Sequence, residues 1–164
     1  MSEKAYAFVF GRKYMEFKIT ISAEDVEEYA KVYFKKHPKA HKMPIEHPYH
    51  PSINTWFVMR RPQMNALKQK WKDFSVWLVR KNGLENLKLE SFSIKFKTYM
   101  PTKRRIDPDN TVPKFILDGF VEGGFLMDDD STHLLSLELC AGYDKNFPRT
   151  EIIVKERSDN GNSF

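Results

Sequence analysis

The stretch SFSIKFKTYM, residues 91–100, alternates apolar and polar side chains with a period of two along its length. A β-strand places such residues on opposite faces, one for a core and one for water. The chain must therefore supply a sheet, and a second layer to cover the sheet's apolar side. A candidate for that layer lies upstream. Pro62 opens a helical segment, 62–81, that Asn82-Gly83 closes, and Leu67, Trp71, Phe74, Trp77 and Leu78 fall on one stripe of it. Lys68, Lys70, Lys72, Arg80 and Lys81 lie largely off the stripe, and a solvated face is the expectation for Lys68 to Lys72.

Other segments follow the same grammar. YAFVF and YMEFKITI flank Gly11-Arg12-Lys13, a β-hairpin with glycine at the turn. Ser22 precedes AEDVEEYAKVYFKKH, whose acids sit in the first turn and lysines in the last, as an N-cap and the helix dipole favour. Residues 37–54 carry four prolines and four histidines and read as a loop. A helix is expected over about 111–123, ended by Gly123-Gly124. HLLSLELCAGY and TEIIVKE read as two more strands joined by a turn around Lys145–Pro148. The tail, SDNGNSF, is expected to fray. No internal repeat or linker interrupts this order, which predicts one α/β domain of the α+β type, a mixed sheet packed with helices.

At 164 residues the chain is long enough for one hydrophobic core without staples. Its lone cysteine, Cys140, has no partner for an internal disulfide, which predicts a reducing compartment. No apolar run approaches a membrane span, and the first residues lack the pattern of a signal peptide. The expectation is a soluble cytoplasmic protein without a membrane partner.

Charge is unevenly distributed. Between Arg60 and Arg105 there are 13 lysines and arginines against three acids; between Ile106 and Asp144 there are nine acids and one lysine, Lys114. A basic block abutting an acidic one suits a polyanion held by one surface and a cation by the other. The boundary reads KRRIDPDN, residues 103–110. Pro108 biases Asp107 towards an extended conformation, in which Asp107 and Asp109 would point to one side. Two anions brought together are costly unless a cation neutralises them, so a shared divalent ion is the sharper reading and a solvated turn the plainer one. Asp109 or Asn110 could cap the next helix, with Pro113 in its first turn. On that helix Lys114 and Asp118 lie four apart, and after Gly123-Gly124 the chain can return Asp128-Asp129-Asp130 towards the first pair. Such an oxygen-rich set selects Mg²⁺ or Mn²⁺, ions that promote phosphodiester hydrolysis.

Two related motifs fail. An EF-hand loop starting at Asp107 would need glycine where Val112 stands and glutamate where Asp118 stands. A nuclease of the PD-(D/E)xK type needs a lysine two residues after an acid beyond Asp107, and there is none. His37, His41, His47 and His50 suggest zinc, but no cysteine is near and the prolines fit a loop; contacts to DNA, or no role, suit them better. Arg60, Arg61, Lys103, Arg104 and Arg105 are candidates to meet phosphates. Trp56, Phe57, Trp71 and Trp77 are expected mainly in the core, with Trp56 and Phe57 the ones to test for base stacking.

RIDPDNTVPKFILDGFVEGGFLMDDD, residues 105–130, resembles the signature of the RusA family of Holliday-junction resolvases, frequent in phages and prophages. The matching positions are Asp107, Asp109, Asn110, Lys114, Asp118, Gly124 and Asp128-Asp129; upstream, Pro51, Ser52 and Asn54 of HPSINTWF match the family's P-S-x-N segment. The resemblance implies a small homodimeric endonuclease that nicks symmetry-related strands of a four-way DNA junction, leaving 5′-phosphate and 3′-hydroxyl ends. It implies Mg²⁺ (or Mn²⁺) held by Asp107, Asp109 and Asp129, with Asp128 or Asp130 as alternatives to Asp129. It gives Lys114 the task of steadying the charge of the phosphate or of the attacking water, and Asn54 and Asn110 a place at the DNA. It makes residues 46–157 the nuclease core, 1–45 a hairpin-helix extension of the same domain and 158–164 a tail. Branched-DNA binding without cleavage, or a nuclease with broader preference for flaps, are the alternatives.

Overall fold

A five-stranded mixed sheet forms the backbone of the protein, in the order β1-β2-β5-β3-β4. The structure is a computed structural model that describes residues 3–9 and 12–157. In chain order the elements are β1 (Glu3–Val9), β2 (Arg12–Ile21), α1 (Ala23–Lys36), α2 (Ile53–Trp56), α3 (Arg61–Lys81), β3 (Phe92–Met100), a 3-10 turn (Pro108–Thr111), α4 (Lys114–Glu122), β4 (Leu134–Tyr143) and β5 (Arg149–Glu156). β1 and β2 pair antiparallel as the sequence predicts. Gly11 and the tail after Arg157 lie outside the described residues, so the glycine turn and the fraying of the tail do too.

The period-two reading of β3 is borne out: Phe92, Ile94, Phe96 and Thr98 are buried and the residues between them are half-buried. Register carries the pattern across the sheet. Ile94 faces Val154, which faces Phe17; Phe96 faces Ile152, which faces Ile19; Thr98 faces Thr150, which faces Ile21. These rows make one continuous buried face. The opposite face carries charged pairs, Lys95 with Glu138 and Arg149 with Glu151.

The covering layer is helical. Trp71, Phe74 and Leu78 of α3, Ile116 and Phe120 of α4 and Val26 and Tyr29 of α1 join the same core cluster as the strand residues. Each fully buried Phe, Leu or Ile contributes about 1.5–3 kcal/mol. The helix α1 begins at the Ser22 N-cap the sequence suggests, and Asp25 completes a capping box: Asp25 N–H donates to Ser22 Oγ at 3.4 Å and Ser22 N–H to Asp25 Oδ2 at 2.8 Å. Lys81, at the far end of α3, reaches Asp25 at 2.8 Å and Glu28 at 2.5 Å, locking the two helices at their ends.

The last two strands depart from the simplest expectation. β4 and β5 are not neighbours: β3 lies between them, parallel to β4 and antiparallel to β5. The segment from β3 through α4 to β4 is a crossover, the connection that parallel neighbours require, and residues 144–148 step over the end of β3. Among the described residues no helix is long and apolar enough to cross a membrane.

α3 and α4 approach closely at Gly119. A Cβ there would overlap the Cβ of Ser75 and stand 2.8 Å from the Lys72 carbonyl oxygen. Ser75 is fully buried and turns its hydroxyl back to the Trp71 carbonyl at 2.7 Å. Two small residues thus bring the backbones together and set where α4 presents its polar face.

Candidate functional site

The DPDN segment is only partly extended. Asp107 has φ −79° and ψ 123°, as its place before Pro108 predicts, but Pro108–Thr111 then winds into a 3-10 turn. With about three residues per turn, Asp107 and Asp109 do not share the common side an extended chain would give them. The helix also starts later than expected, at Lys114. Pro113 is its N-cap, without a side-chain cap, so neither Asp109 nor Asn110 caps it and Pro113 is not in its first turn. The reason is the backbone of Val112, whose ψ of 118° separates the 3-10 turn from the helix.

The cap comes instead from His50. Its Nε2 accepts the Phe115 backbone N–H at 3.1 Å, and its Nδ1–H donates to the Pro51 carbonyl at 2.8 Å. The ring is buried against Trp71 and Phe115. Burial pushes its pKa down to about 4, against the opposing pull of the Pro51 carbonyl and the Asp118 charge, so the imidazole is neutral. The loop is tied at a second point, where Thr150 Oγ1 donates to the Pro48 carbonyl at 2.7 Å. The proline- and histidine-rich segment is therefore a fastened strap. Among the described residues no three His, Cys, Asp or Glu side chains are gathered as a metal ion would need.

Lys114 stands between two carboxylates, 3.0 Å from Asp118 Oδ1 and 3.4 Å from Asp129 Oδ2. Lys68 of α3 approaches Asp118 Oδ2 at 3.2 Å. The approach is ionic, since that oxygen accepts no hydrogen bond of good geometry. Burial alone would raise the Asp118 carboxyl, but the two lysines outweigh it and hold the group below the usual carboxylate range. Burial likewise opposes the charge of Lys114, and Asp118 and Asp129 overcome it, raising its pKa. Lys114 is thus a fixed cation, suited to steadying a phosphate oxyanion and unsuited to acting as a base.

The acidic run divides its work. Asp130 accepts the backbone N–H groups of Thr132 and His133 and contacts His133 Nδ1 at 2.7 Å, which lowers its pKa. Asp128 accepts the Asp129 N–H at 2.7 Å. Asp129 is the member whose side chain meets Lys114. A Mg²⁺ ion would suit the oxygen-only donors Asp107, Asp109 and Asp129 by chemistry, yet these three carboxylates are not gathered into an ion-binding group.

What the fold does gather is a cleft of about 1100 Å³ between the strap, the first half of α3 and residues 105–111. Asn54, Arg105, Asp107 and Asn110 all line it. Arg105 lies 3.8 Å from Asp107, both largely exposed, a contact worth little by itself. Arg60 and Arg61 are exposed where α3 begins, and Lys103 and Arg104 are exposed on the segment after β3; none of the four lines the cleft. Lys103 rests 5.3 Å from the centre of the Tyr143 ring.

Of the aromatic residues, Trp71 is core, and Trp56 and Trp77 pack against it. Phe57 is not: it caps the C-terminus of the four-residue α2 and is 75% exposed, beside Val58 at 80%. Lys68 and Lys72 also depart from the solvated face expected of them. They lie four apart on α3 and meet Asp118 and Glu122, four apart on α4, at 3.2 and 2.6 Å. That matched spacing was present in the sequence as a signal for the pairing of the two helices. His50 left no comparable signal, since a cap from 65 residues away has no local pattern.

Compared with known proteins, the chain matches no protein-family model and no curated protein.

Proposed function

We propose that the chain is a Mg²⁺-dependent endonuclease of the RusA type that cuts branched DNA, four-way junctions foremost, as an isologous homodimer in the cytoplasm. One observation carries the reading. Two of the stretches that carry the resemblance, around Asn54 and at the start of residues 105–130, are more than fifty residues apart in the chain and line one cleft through Asn54, Asp107 and Asn110. Beside this segment Lys114 is held as a cation by Asp118 and Asp129. In this reading Asp107, Asp109 and Asp129, which do not converge in this structure, would have to close around the ion, Asp128 being the alternative to Asp129. The ion would then supply a neutralising charge and an activated water. Arg60, Arg61, Lys103, Arg104 and Arg105 meet phosphates, and two-fold DNA suits a two-fold protein.

A second reading, branched-DNA binding without cleavage, is favoured by the carboxylates that do not converge. The test is incubation of a labelled four-way junction, a flap and a plain duplex with the protein, in Mg²⁺ and in EDTA. Paired symmetric nicks in the junction, present in Mg²⁺ and absent in EDTA, support the nuclease. Tight junction binding without any cut in Mg²⁺ or Mn²⁺ supports the second reading, and equal indifference to all three DNAs sinks both.

A further inference from the structure

We propose that the cleft is a subsite for an unstacked nucleotide of a DNA single strand, read by its base as well as its phosphate. This rests on the branched-DNA reading and deepens it. At about 1100 Å³, the cleft is at the upper end of pockets that enclose one small organic molecule. It has room for one or two nucleotides rather than for a segment of double helix.

Its lining suits a base. The rings of His47 and Tyr49 lie parallel, centres 5.0 Å apart and planes 7° from each other, and both line the cleft. Flat aromatic surfaces of this kind hold bases in single-strand binders. Asn54, Gln63 and Asn110 bring carboxamide groups to the same cleft, each offering a donor and an acceptor to a base edge. Asn54 and Asn110 are fixed through their backbones: Asn54 N–H donates to Ser52 Oγ at 3.2 Å and Asn110 N–H to the Asp107 carbonyl at 3.0 Å.

Its charges suit the backbone of a strand. Lys42, Lys70 and Arg105 line the cleft against two acids, Glu46 and Asp107. Asp107 belongs to the carboxylate set of the proposed chemistry, so a nucleotide seated here lies next to the phosphate to be cut. A base reaches such a cleft when it is unpaired or flipped out of the stack, which costs least where pairing is interrupted, as beside a branch point or on a flap.

The test compares three probes by fluorescence anisotropy in EDTA: a short oligothymidylate, an abasic strand of the same length and charge, and a four-way junction. The oligothymidylate is expected to bind about tenfold tighter than the abasic strand, the size of one stacked base. Tyr49→Ala should remove that difference and Tyr49→Phe, which keeps the ring, should restore it, with melting curves confirming that both variants fold. Equal affinity for the two strands overturns the subsite, and junction binding in the same experiment then leaves the branched-DNA reading standing. Base-dependent strand binding without junction binding upholds the subsite and sinks the junction reading. Free deoxynucleoside monophosphates that bind as tightly as the strand overturn the proposal in favour of a small-molecule site.

Discussion

His50 Nε2 accepts the backbone N–H of Phe115 at 3.1 Å, joining the proline-rich strap to the first turn of α4 across 65 residues of chain. The bond exists only while the ring is neutral, and it is what fixes the strap, and with it one wall of the cleft, to the helix that carries Lys114.

The pH dependence of stability follows. Folding lowers the His50 pKa from the ordinary 6.5 to about 4, so between those values the unfolded chain binds a proton that the native one refuses. The contribution is fully present above pH 6.5 and is lost as pH falls towards 4, on the order of 3 kcal/mol in total. Urea melts between pH 4 and 7 should show this slope, and His50→Phe should flatten it. At neutral pH, His50→Ala should cost about 2–4 kcal/mol, from the cavity and the orphaned Phe115 N–H.

Asp118 is shared by Lys68 and Lys114 and its side chain is only 17% exposed. Asp118→Ala leaves two cations without their common partner and should lower stability by about 1–3 kcal/mol. A double-mutant cycle with Lys68→Met should give a coupling of about 0.5–1 kcal/mol that shrinks in high salt. Strict additivity would remove Lys68 from the network.

Three glycine-to-alanine changes should rank by their surroundings. At Gly83, φ is +66° but the space is open, so about 1 kcal/mol is expected. At Gly119 the new methyl meets Ser75 and the Lys72 carbonyl, which should cost about 1–3 kcal/mol as the helices part. Gly124 combines φ +80° with a Cβ that would overlap the Glu85 carbonyl oxygen and should be the worst of the three. Thermal melts of the set check the order.

If the proposed nuclease reading is right, Asp109→Asn should abolish junction cleavage while binding stays equal or tightens, because one negative charge near phosphate is gone. Lys114→Met should lower cleavage by about a hundredfold or more with binding within a few-fold. Cleavage surviving Asp109→Asn would take that residue out of the ion-binding set.

Patterns of short period were legible without coordinates. The alternation at Phe92–Thr98, the stripe from Leu67 to Leu78 and the Ser22 cap are local, and backbone geometry alone translates them into strand, helix and helix start. The bias of Asp107 by Pro108 is equally local and appears as expected. Where two local signals competed, as at Asp109 to Pro113, the reading of one helix from about 111 missed the break that Val112 introduces. The nesting of β3 between β4 and β5, the capping of α4 by His50 and the meeting of Asn54 with Asp107 in one cleft join residues tens of positions apart. Such contacts depend on which faces bury together and on register across the sheet. They form when the core closes, and a side chain's neighbours along the chain carry no record of them.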